Sequence, residues 1–165
     1  MYLIDGHNLI GQGLIPGIAL HQEDDEARLV AWLRARQPNL RQKIVVIFDG
    51  GIPGGTSFAL SGGGVIAIFA AQHRTNADKV ILARVRQARP ASSTITVVTH
   101  DGVLRQAVSS LGAQVMRPHD FVQRLQQIPR RWRKTSDSGG KLEPRLTENE
   151  IKDWLLLFEK GESDH

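Results

Sequence analysis

Short runs of apolar residues recur along the chain and predict β-strands that are buried on both faces. The runs are Tyr2–Ile4, Ile44–Phe48, Val65–Phe69 and Ile95–Val98, with Gln114–Met116 as a shorter fifth candidate. The longer runs do not alternate between apolar and polar residues, as a strand with one solvent-facing side would. Continuous apolar runs are typical of parallel sheets that are covered on both faces.

Between these runs, apolar residues recur at helical spacing. The pattern predicts four helices, at Asp24–Arg36, Asp78–Arg89, Gly102–Leu111 and Asp120–Gln127. A proline or glycine follows each helix and is expected to stop it. Strands that alternate with helices predict an α/β fold built on a parallel sheet.

The segment from Gly50 to Gly64 fits neither pattern, because it is dominated by glycine. Glycines permit large changes of backbone angle, so we predict a loop that could act as a lid. Phe58 within this loop could contact a base or pack inward, and we expect it to pack inward. A parallel crossover usually contains a helix, and none is evident here, so the pairing of Val65–Phe69 is left open.

The composition of the chain changes after Pro129, where it becomes basic and then rich in serine and glycine. We predict one domain over residues 1–129, a basic linker over 130–146 and a C-terminal helix over 147–165. Thr147 and Glu150 form a capping box at the start of that helix. Its apolar face is too hydrophobic to remain in water, so it is expected to pack on its own domain or on a second copy. We favour a homodimer contact through this face, which comprises Ile151, Trp154, Leu155 and Phe158.

Composition narrows the possible functions. The 165 residues include no cysteine, which excludes disulfides, thiolate zinc sites and thiol catalysis. The N-terminus has no signal-peptide pattern, and no apolar run is long enough to cross a membrane, so we expect a cytoplasmic protein with no membrane partner. The net charge of +4 favours a polyanionic partner such as RNA. Much of the excess positive charge lies around Trp132, in Arg130, Arg131, Arg133 and Lys134.

This basic stretch has two interpretations of equal weight. The cations could neutralise phosphates while the indole stacks on an unpaired base. Alternatively, the stretch is a solvated linker and Trp132 packs on the domain.

Four aspartates fall where the predicted elements meet. Asp5 and Asp49 directly follow strands, Asp101 follows the Ile95–Val98 strand closely, and Asp78 lies in the first turn of a helix. In open parallel sheets, ligands bind beyond the carboxyl ends of the strands where strand order reverses. If the first strand is central, with the second on one side and the Ile95 strand on the other, these acids share one edge. Crowded carboxylates take up protons or recruit a cation, and Mg²⁺ or Mn²⁺ suits oxygen ligands.

Each aspartate also has a structural explanation. Asp101 could cap the helix that follows it, and Asp78 could complement a helix dipole behind an Asn76 cap. Asp49 could open a turn. The structural explanation is weakest for Asp5, because an acid directly after a central strand is expected to have little to cap.

Neighbouring polar residues could support this edge. Asn8 could cap the next segment or orient a water or phosphate beside Asp5. Thr99 could cap locally or donate its hydroxyl to the site. His7 and His100 adjoin the acids in sequence, and we expect them to support the site or lie exposed rather than to bind a cation.

The four segments that contain these residues resemble one known family. They are Ile4-Asp5-Gly6-His7-Asn8, Val46-Ile47-Phe48-Asp49, Thr75-Asn76-Ala77-Asp78 and Val97-Val98-Thr99-His100-Asp101, and they resemble the YacP-like branch of the NYN domains, which are PIN-like ribonucleases. The resemblance covers residues 1–127 and implies a three-layer α/β/α fold with a central, mainly parallel sheet. It also implies a Mg²⁺ or Mn²⁺ site in which Asp5, Asp78 and Asp101 hold the metal. Asn8 would be their polar partner, and Asp49 an accessory acid.

The resemblance therefore implies a metal-dependent endoribonuclease that hydrolyses RNA with a metal-activated water. Two alternatives remain open. One is a non-catalytic RNA-binding module on the same fold, and the other is a 5′-nuclease-like activity on DNA. RNA differs from DNA in its 2′-hydroxyl, and no motif in the sequence identifies a residue that contacts this group.

Overall fold

A computed structural model describes residues 1–51, 54–73 and 76–127 of the 165. The basic stretch at 130–134, the remainder of the predicted linker and the predicted C-terminal helix lie outside the described residues. So does Thr75, the first residue of the third family-like segment.

The described chain forms one six-stranded sheet between two layers of helices. This confirms the predicted three-layer α/β/α architecture with a mainly parallel sheet. Five strands run parallel, and one edge strand is antiparallel to its neighbour. In chain order the strands are β1 (Tyr2–Asp5), β2 (Ile44–Phe48), β3 (Gly55–Gly62), β4 (Val65–Phe69), β5 (Thr96–Val98) and β6 (Gln114–Met116).

The strand order across the sheet is β3-β4-β2-β1-β5-β6. The first strand is therefore central, with β2 on one side and β5 on the other, as the sequence predicted. The register places Ile4 opposite both Val46 and Val98. This arrangement creates the reversal of strand order at which α/β proteins bind ligands.

Within the described residues, six α-helices lie around the sheet. They are α1 (Gly6–Gly11), α2 (Asp25–Arg34), α3 (Gln37–Leu40), α4 (Ala77–Gln87), α5 (Gly102–Ser110) and α6 (Pro118–Gln126), and short 3₁₀ turns lie at Ala70–His73 and Ala91–Thr94. The four predicted helices are present with small shifts at their ends. Pro38 lies at the start of the short helix α3, where the missing N–H costs no intrahelical bond.

Side-chain alternation along the strands divides the core into two layers. On one face, even-numbered residues of β1 and β2 pack with α1, α2 and α6; the cluster includes Ile4, Leu29, Phe48 and Phe121. On the other face, odd-numbered residues pack with α4 and α5; this cluster includes Leu3, Ile47, Ile81 and Leu104. Residues on both faces of β1 and β2 are almost fully buried, which explains their continuous apolar sequence.

The prediction that residues 50–64 form a loop is wrong for most of the segment. Residues 55–62 form β3, which pairs antiparallel with β4 and needs only a tight turn between them rather than a crossover. The hairpin places three glycines with positive φ, Gly62, Gly63 and Gly64, at its turn. Several of the glycines that suggested a mobile loop therefore build a hairpin; of the described residues before it, Gly50 and Gly51 directly follow Asp49.

Phe58 does not pack inward as predicted, since 53% of it is exposed on β3. β3 lies at the edge of the sheet, where its side chains are less covered than those of the central strands. Within the part of the chain that the structure describes, no helix is both long and apolar enough to cross a lipid bilayer.

Candidate active site

The carboxyl ends of β1, β2 and β5 bring three of the four aspartates to one edge of the sheet. Asp5 is the last residue of β1, Asp49 directly follows β2, and Asp101 lies three residues after β5. Asp78 joins them from the first turn of α4. By strand alternation Asp5 shares a face with Leu3, and Asp49 shares a face with Ile47. Both acids therefore point towards the layer that contains α4 and α5, which carry Asp78 and Asp101.

Asp5 is the most buried of the four, with 7% of the residue exposed. Burial raises the pKa of its carboxyl from 3.8 to about 6, against the opposing effect of the Asn8 N–H that it accepts. The charges of Asp78 and Asp49 raise this pKa further, and His7 lowers it. Part of the Asp5 population is therefore protonated just below neutral pH in the metal-free protein.

Asp78 connects the group electrostatically. Burial raises the pKa of its carboxyl, and the charges of Asp101 and Asp49 raise it further. Because Asp5 also responds to Asp78 and Asp49, all four acids belong to one mutually repelling set. Such a set is stabilised by protons or by a cation.

Hydrogen bonds show that several of the structural explanations are correct. Asp101 caps α5, because its Oδ1 accepts the N–H of Leu104 at 2.7 Å. Asn76 caps α4 by accepting the N–H of Lys79 at 3.0 Å, which leaves Asp78 in the first turn behind it. Asp49 does more than open a turn, since its Oδ1 accepts the N–H of Ala77 at 2.7 Å and ties β2 to the start of α4.

The expectation that Asp5 has little to cap is wrong. A helix, α1, begins directly after β1, and the Oδ1 atom of Asp5 accepts the N–H of Asn8 at 3.2 Å as its N-cap. The sequence pattern missed α1 because this helix is only six residues long. Its start was nevertheless visible in principle, since aspartate is a preferred N-cap residue.

Asn8 and Thr99 hold the backbone around the acids. Asn8 lies inside α1 rather than capping the next segment, and its Oδ1 accepts the N–H of His100 at 2.8 Å. Thr99 is fully buried, and its Oγ1 accepts the N–H of Asp101 at 3.1 Å. Both contacts hold the turn that carries Asp101, so Asn8 and Thr99 help to position Asp101.

Gly6 is required where α1 passes over the core. A Cβ atom at this position would overlap the ring of Phe48. The ring of His7 also lies near Phe48, with 5.3 Å between centroids. The small residue thus lets α1 begin immediately after β1 and keeps Asp5 and Asn8 close together.

Among the described residues, three metal-ligating side chains lie within 4.8 Å of one another in a single group, and it does not include the four aspartates. That group is His7, Asp25 and Glu26. His7 Nε2 lies 3.3 Å from Glu26 Oε1, whereas His100 is exposed. His7 was predicted to lie beside the site, whereas Asp25 and Glu26 were not predicted, because their only signal was their position in the first turn of α2.

The donor chemistry of the aspartates suits a hard divalent cation, although in this structure no three of their carboxylates gather within 4.8 Å of one another. Their donors are all oxygens, which Mg²⁺ and Mn²⁺ prefer. Burial and then the charges of neighbouring acids raise the pKa values of Asp5 and Asp78, and a cation would lower both again. The edge also lies open to a phosphodiester, since Asp49 is exposed and Asp78 and Asp101 are half-buried.

The chain is similar to known proteins of one family. The family model described as the YacP-like NYN domain matches residues 2–158, which reaches past the domain boundary predicted at residue 129. A search of curated proteins found no match.

Two solved structures share the fold. A crystal structure of Rae1 (YacP) from Bacillus subtilis is 20% identical, covers 98% of this chain and 83% of its own, and superimposes with a TM-score of 0.62. A mutant of the same protein, with leucine in place of one tryptophan, is 19% identical and covers 76% of this chain and 74% of its own, with a TM-score of 0.57. The resemblance found in the sequence is therefore confirmed: the chain belongs to the YacP-like NYN domain family, which has a ribonuclease-like fold.

Proposed function

We propose that the chain is a metal-dependent endoribonuclease that hydrolyses RNA phosphodiester bonds. The observation that carries this proposal is the set of four electrostatically coupled aspartates at the carboxyl edge of the sheet. Four acids at an open edge would repel an RNA phosphate unless a cation lay between them. The family fold supports the same interpretation.

Asp5, Asp78 and Asp101 would hold Mg²⁺ or Mn²⁺ at this edge, with Asp49 as an accessory acid. A divalent cation supplies charge to a phosphodiester, lowers the pKa of bound water and stabilises negative charge on the leaving oxygen. The protein's own part is to place the acids. Asp49 fixes the start of α4 through Ala77, and so fixes Asp78 one residue later.

Asn8 and Thr99 would act from the other side of the edge. Asn8 anchors the N–H of His100, and Thr99 anchors the N–H of Asp101. These contacts hold the turn after β5 against α1, so that Asp5 and Asp101 keep a constant separation as RNA binds. In this proposal Asn8 supports catalysis by positioning Asp101 and by offering its amide to water or phosphate.

Two alternatives use the same fold. A non-catalytic RNA-binding module would gain nothing from four carboxylates that face phosphate, so the coupled acids argue against it. A 5′-nuclease-like activity on DNA would use the same metal site, and it is separated from the proposal by substrate.

The deciding experiment is cleavage of end-labelled single-stranded RNA and DNA of identical sequence. We expect RNA to be cleaved internally with Mg²⁺ or Mn²⁺ and to stay intact in EDTA, since the aspartates need a cation to approach phosphate. Because water is the proposed nucleophile, the products should end in 5′-phosphate and 3′-hydroxyl.

Each other outcome would support a different function or mechanism. Binding of RNA without cleavage under any metal condition would support the non-catalytic module. Faster cleavage of DNA from its 5′ end would support the nuclease alternative. Products with 2′,3′-cyclic phosphate, or full activity in EDTA, would rule out metal-dependent hydrolysis.

The basic stretch that follows the described domain is proposed to bind RNA through Arg130, Arg131, Trp132, Arg133 and Lys134. Replacing the four cations with alanine should weaken RNA binding and make the dependence of log Kd on log salt shallower by up to about 3, since each phosphate contact to a single strand contributes about 0.7. Binding measured by fluorescence anisotropy between low and moderate salt checks this. An unchanged slope would show that RNA does not use the stretch, and a Trp132→Ala variant tests stacking separately.

The segment over 147–165 is proposed to form a helix that makes a homodimer contact. Its residues Ile151, Trp154, Leu155 and Phe158 form an apolar face that needs a partner surface. Truncation after Lys141 should convert a dimer to a monomer in sedimentation velocity or light scattering. An unchanged mass would favour packing of the helix on its own domain.

A further inference from the structure

We propose that His7, Asp25 and Glu26 form a second cation site, distinct from the aspartates, which takes a divalent transition-metal ion such as Zn²⁺. His7 lies in α1, and both acids lie in the first turn of α2. A cation here would join the two helices. This inference does not depend on RNA cleavage.

The geometry of the three side chains suits such an ion. Their ligand atoms all lie within 4.8 Å of one another, and His7 Nε2 is 3.3 Å from Glu26 Oε1. Donors held at about 2.0–2.2 Å around a tetrahedral zinc ion lie roughly 3.4 Å apart, so the His7–Glu26 distance already fits. A small rotation of the Asp25 side chain would complete a three-ligand set with one position left for water.

Asp25 supplies an independent reason to expect a ligand. The residue is 5% exposed, and across the described residues its carboxylate has no hydrogen-bond or ion-pair partner. The preceding acid, Asp24, differs in both respects, because it is exposed and pairs with Arg28 at 2.8 Å. A carboxylate that is largely removed from water and has no partner in the protein is stabilised by a cation.

The helix dipole alone does not explain this cluster. Acids in the first turn of α2 interact favourably with its N-terminal partial charge, which accounts for having Asp25 and Glu26 there. It does not account for the burial of Asp25, or for a histidine from another helix meeting both acids. A mixed set of imidazole and carboxylates is a donor set that zinc binds well.

The cluster and two of the aspartates, Asp78 and Asp101, lie on helices that pack against opposite faces of the sheet, while His7 stays close enough to Asp5 to act on its carboxyl. Helices α1 and α2 pack on the even-numbered face, whereas Asp78 and Asp101 belong to α4 and α5 on the other. The two sites also differ in chemistry, because one offers oxygens only and the other includes an imidazole nitrogen. We therefore expect Mg²⁺ to prefer the aspartates and Zn²⁺ to prefer the cluster.

The test is calorimetric titration of the full chain with Zn²⁺ in the absence of RNA. Zn²⁺ should bind at one high-affinity site. Asp25→Asn and Glu26→Gln should each lower the affinity at least about tenfold, because even the loss of a group that only hydrogen-bonds to a metal ligand lowers metal affinity by about that factor. Asp24→Asn is the matched control and should bind as the unaltered chain does. An Asp101→Asn variant should also retain the site, which separates it from the aspartates.

A second readout locates the ion. Nitrogen-15 NMR of the histidine rings should show zinc perturbing Nε2 of His7, and the melting temperature should rise with Zn²⁺ concentration because the ion binds the folded state. The inference is overturned if the chain does not bind Zn²⁺, or if both variants bind it unchanged. If Asp25→Asn fails to fold, the more exposed Glu26→Gln carries the test. None of these outcomes alters the cleavage experiment.

Discussion

Replacing Asp5 or Asp101 with asparagine is expected to reduce RNA cleavage by at least about a thousandfold while the fold stays intact. Each change removes one negative charge from the set proposed to hold the cation. Stabilisation of charge by a metal contributes several kcal/mol to the transition state, and each 1.36 kcal/mol is a factor of ten in rate. The loss should appear in kcat for a single labelled RNA at saturating Mg²⁺.

Asparagine is the informative substitution because both aspartates are helix caps. Asp5 accepts the N–H of Asn8 and Asp101 accepts the N–H of Leu104, and asparagine caps helices about as well as aspartate. A loss of activity would therefore report the charge rather than the helix. Asp120→Asn, an exposed acid in α6, serves as the matched control and should retain full turnover.

Near-normal turnover by both the Asp5 and the Asp101 variants would remove the assignment of the metal to this edge. Circular dichroism spectra and melting curves of each variant would show that the fold is unchanged. A loss confined to Asp101→Asn with a shifted melting curve would indicate a structural role for that cap instead.

Much of the fold was predictable because parallel strands carry a strong signal. The residues of β1 and β2 are buried on both faces, so their sequences are continuously apolar and end at the acids. Strand alternation with helices then fixed the layer order. Once β1 was placed in the centre, Asp5, Asp49 and Asp101 had to share one edge, and the structure confirms this geometry.

Local contacts were harder to predict. The hairpin of β3 and β4 was missed because glycine favours both loops and tight turns, and only long-range pairing separates them. The helix α1 was missed because six residues are too few to show a period. The cap role of Asp5 was dismissed for the same reason.

The cluster of His7, Asp25 and Glu26 was not predictable from spacing. The histidine and the acids lie 18 and 19 residues apart and meet only because α1 and α2 pack side by side. First-turn acids are common on helices, so their identity alone carries little information. The burial of Asp25 is what distinguishes it, and burial depends on the complete fold.

Asp5 is also expected to make the metal-free protein less stable at neutral pH than in mild acid. Its folded pKa of about 6 lies above the ordinary value of 3.8. The folded state therefore binds the proton more tightly than the unfolded state does, and stability falls as pH rises from about 4 to about 6. Above that range the full destabilisation is present, and the rise of this pKa from 3.8 to about 6 corresponds to about 3 kcal/mol of unfolding free energy.

Asp5→Asn should remove this cost. We expect the variant to exceed the unaltered chain in unfolding free energy by about 2–3 kcal/mol at pH 7 in EDTA, and by less than about 1 kcal/mol at pH 4, where Asp5 is largely protonated in the folded state. Urea unfolding at several pH values measures the difference directly, and using the difference cancels the titration of other groups. Saturating Mg²⁺ at pH 7 should narrow the gap, because the ion stabilises the chain that retains the carboxylate. A gap of equal size at pH 4 and pH 7 would mean that the Asp5 charge is not the cause.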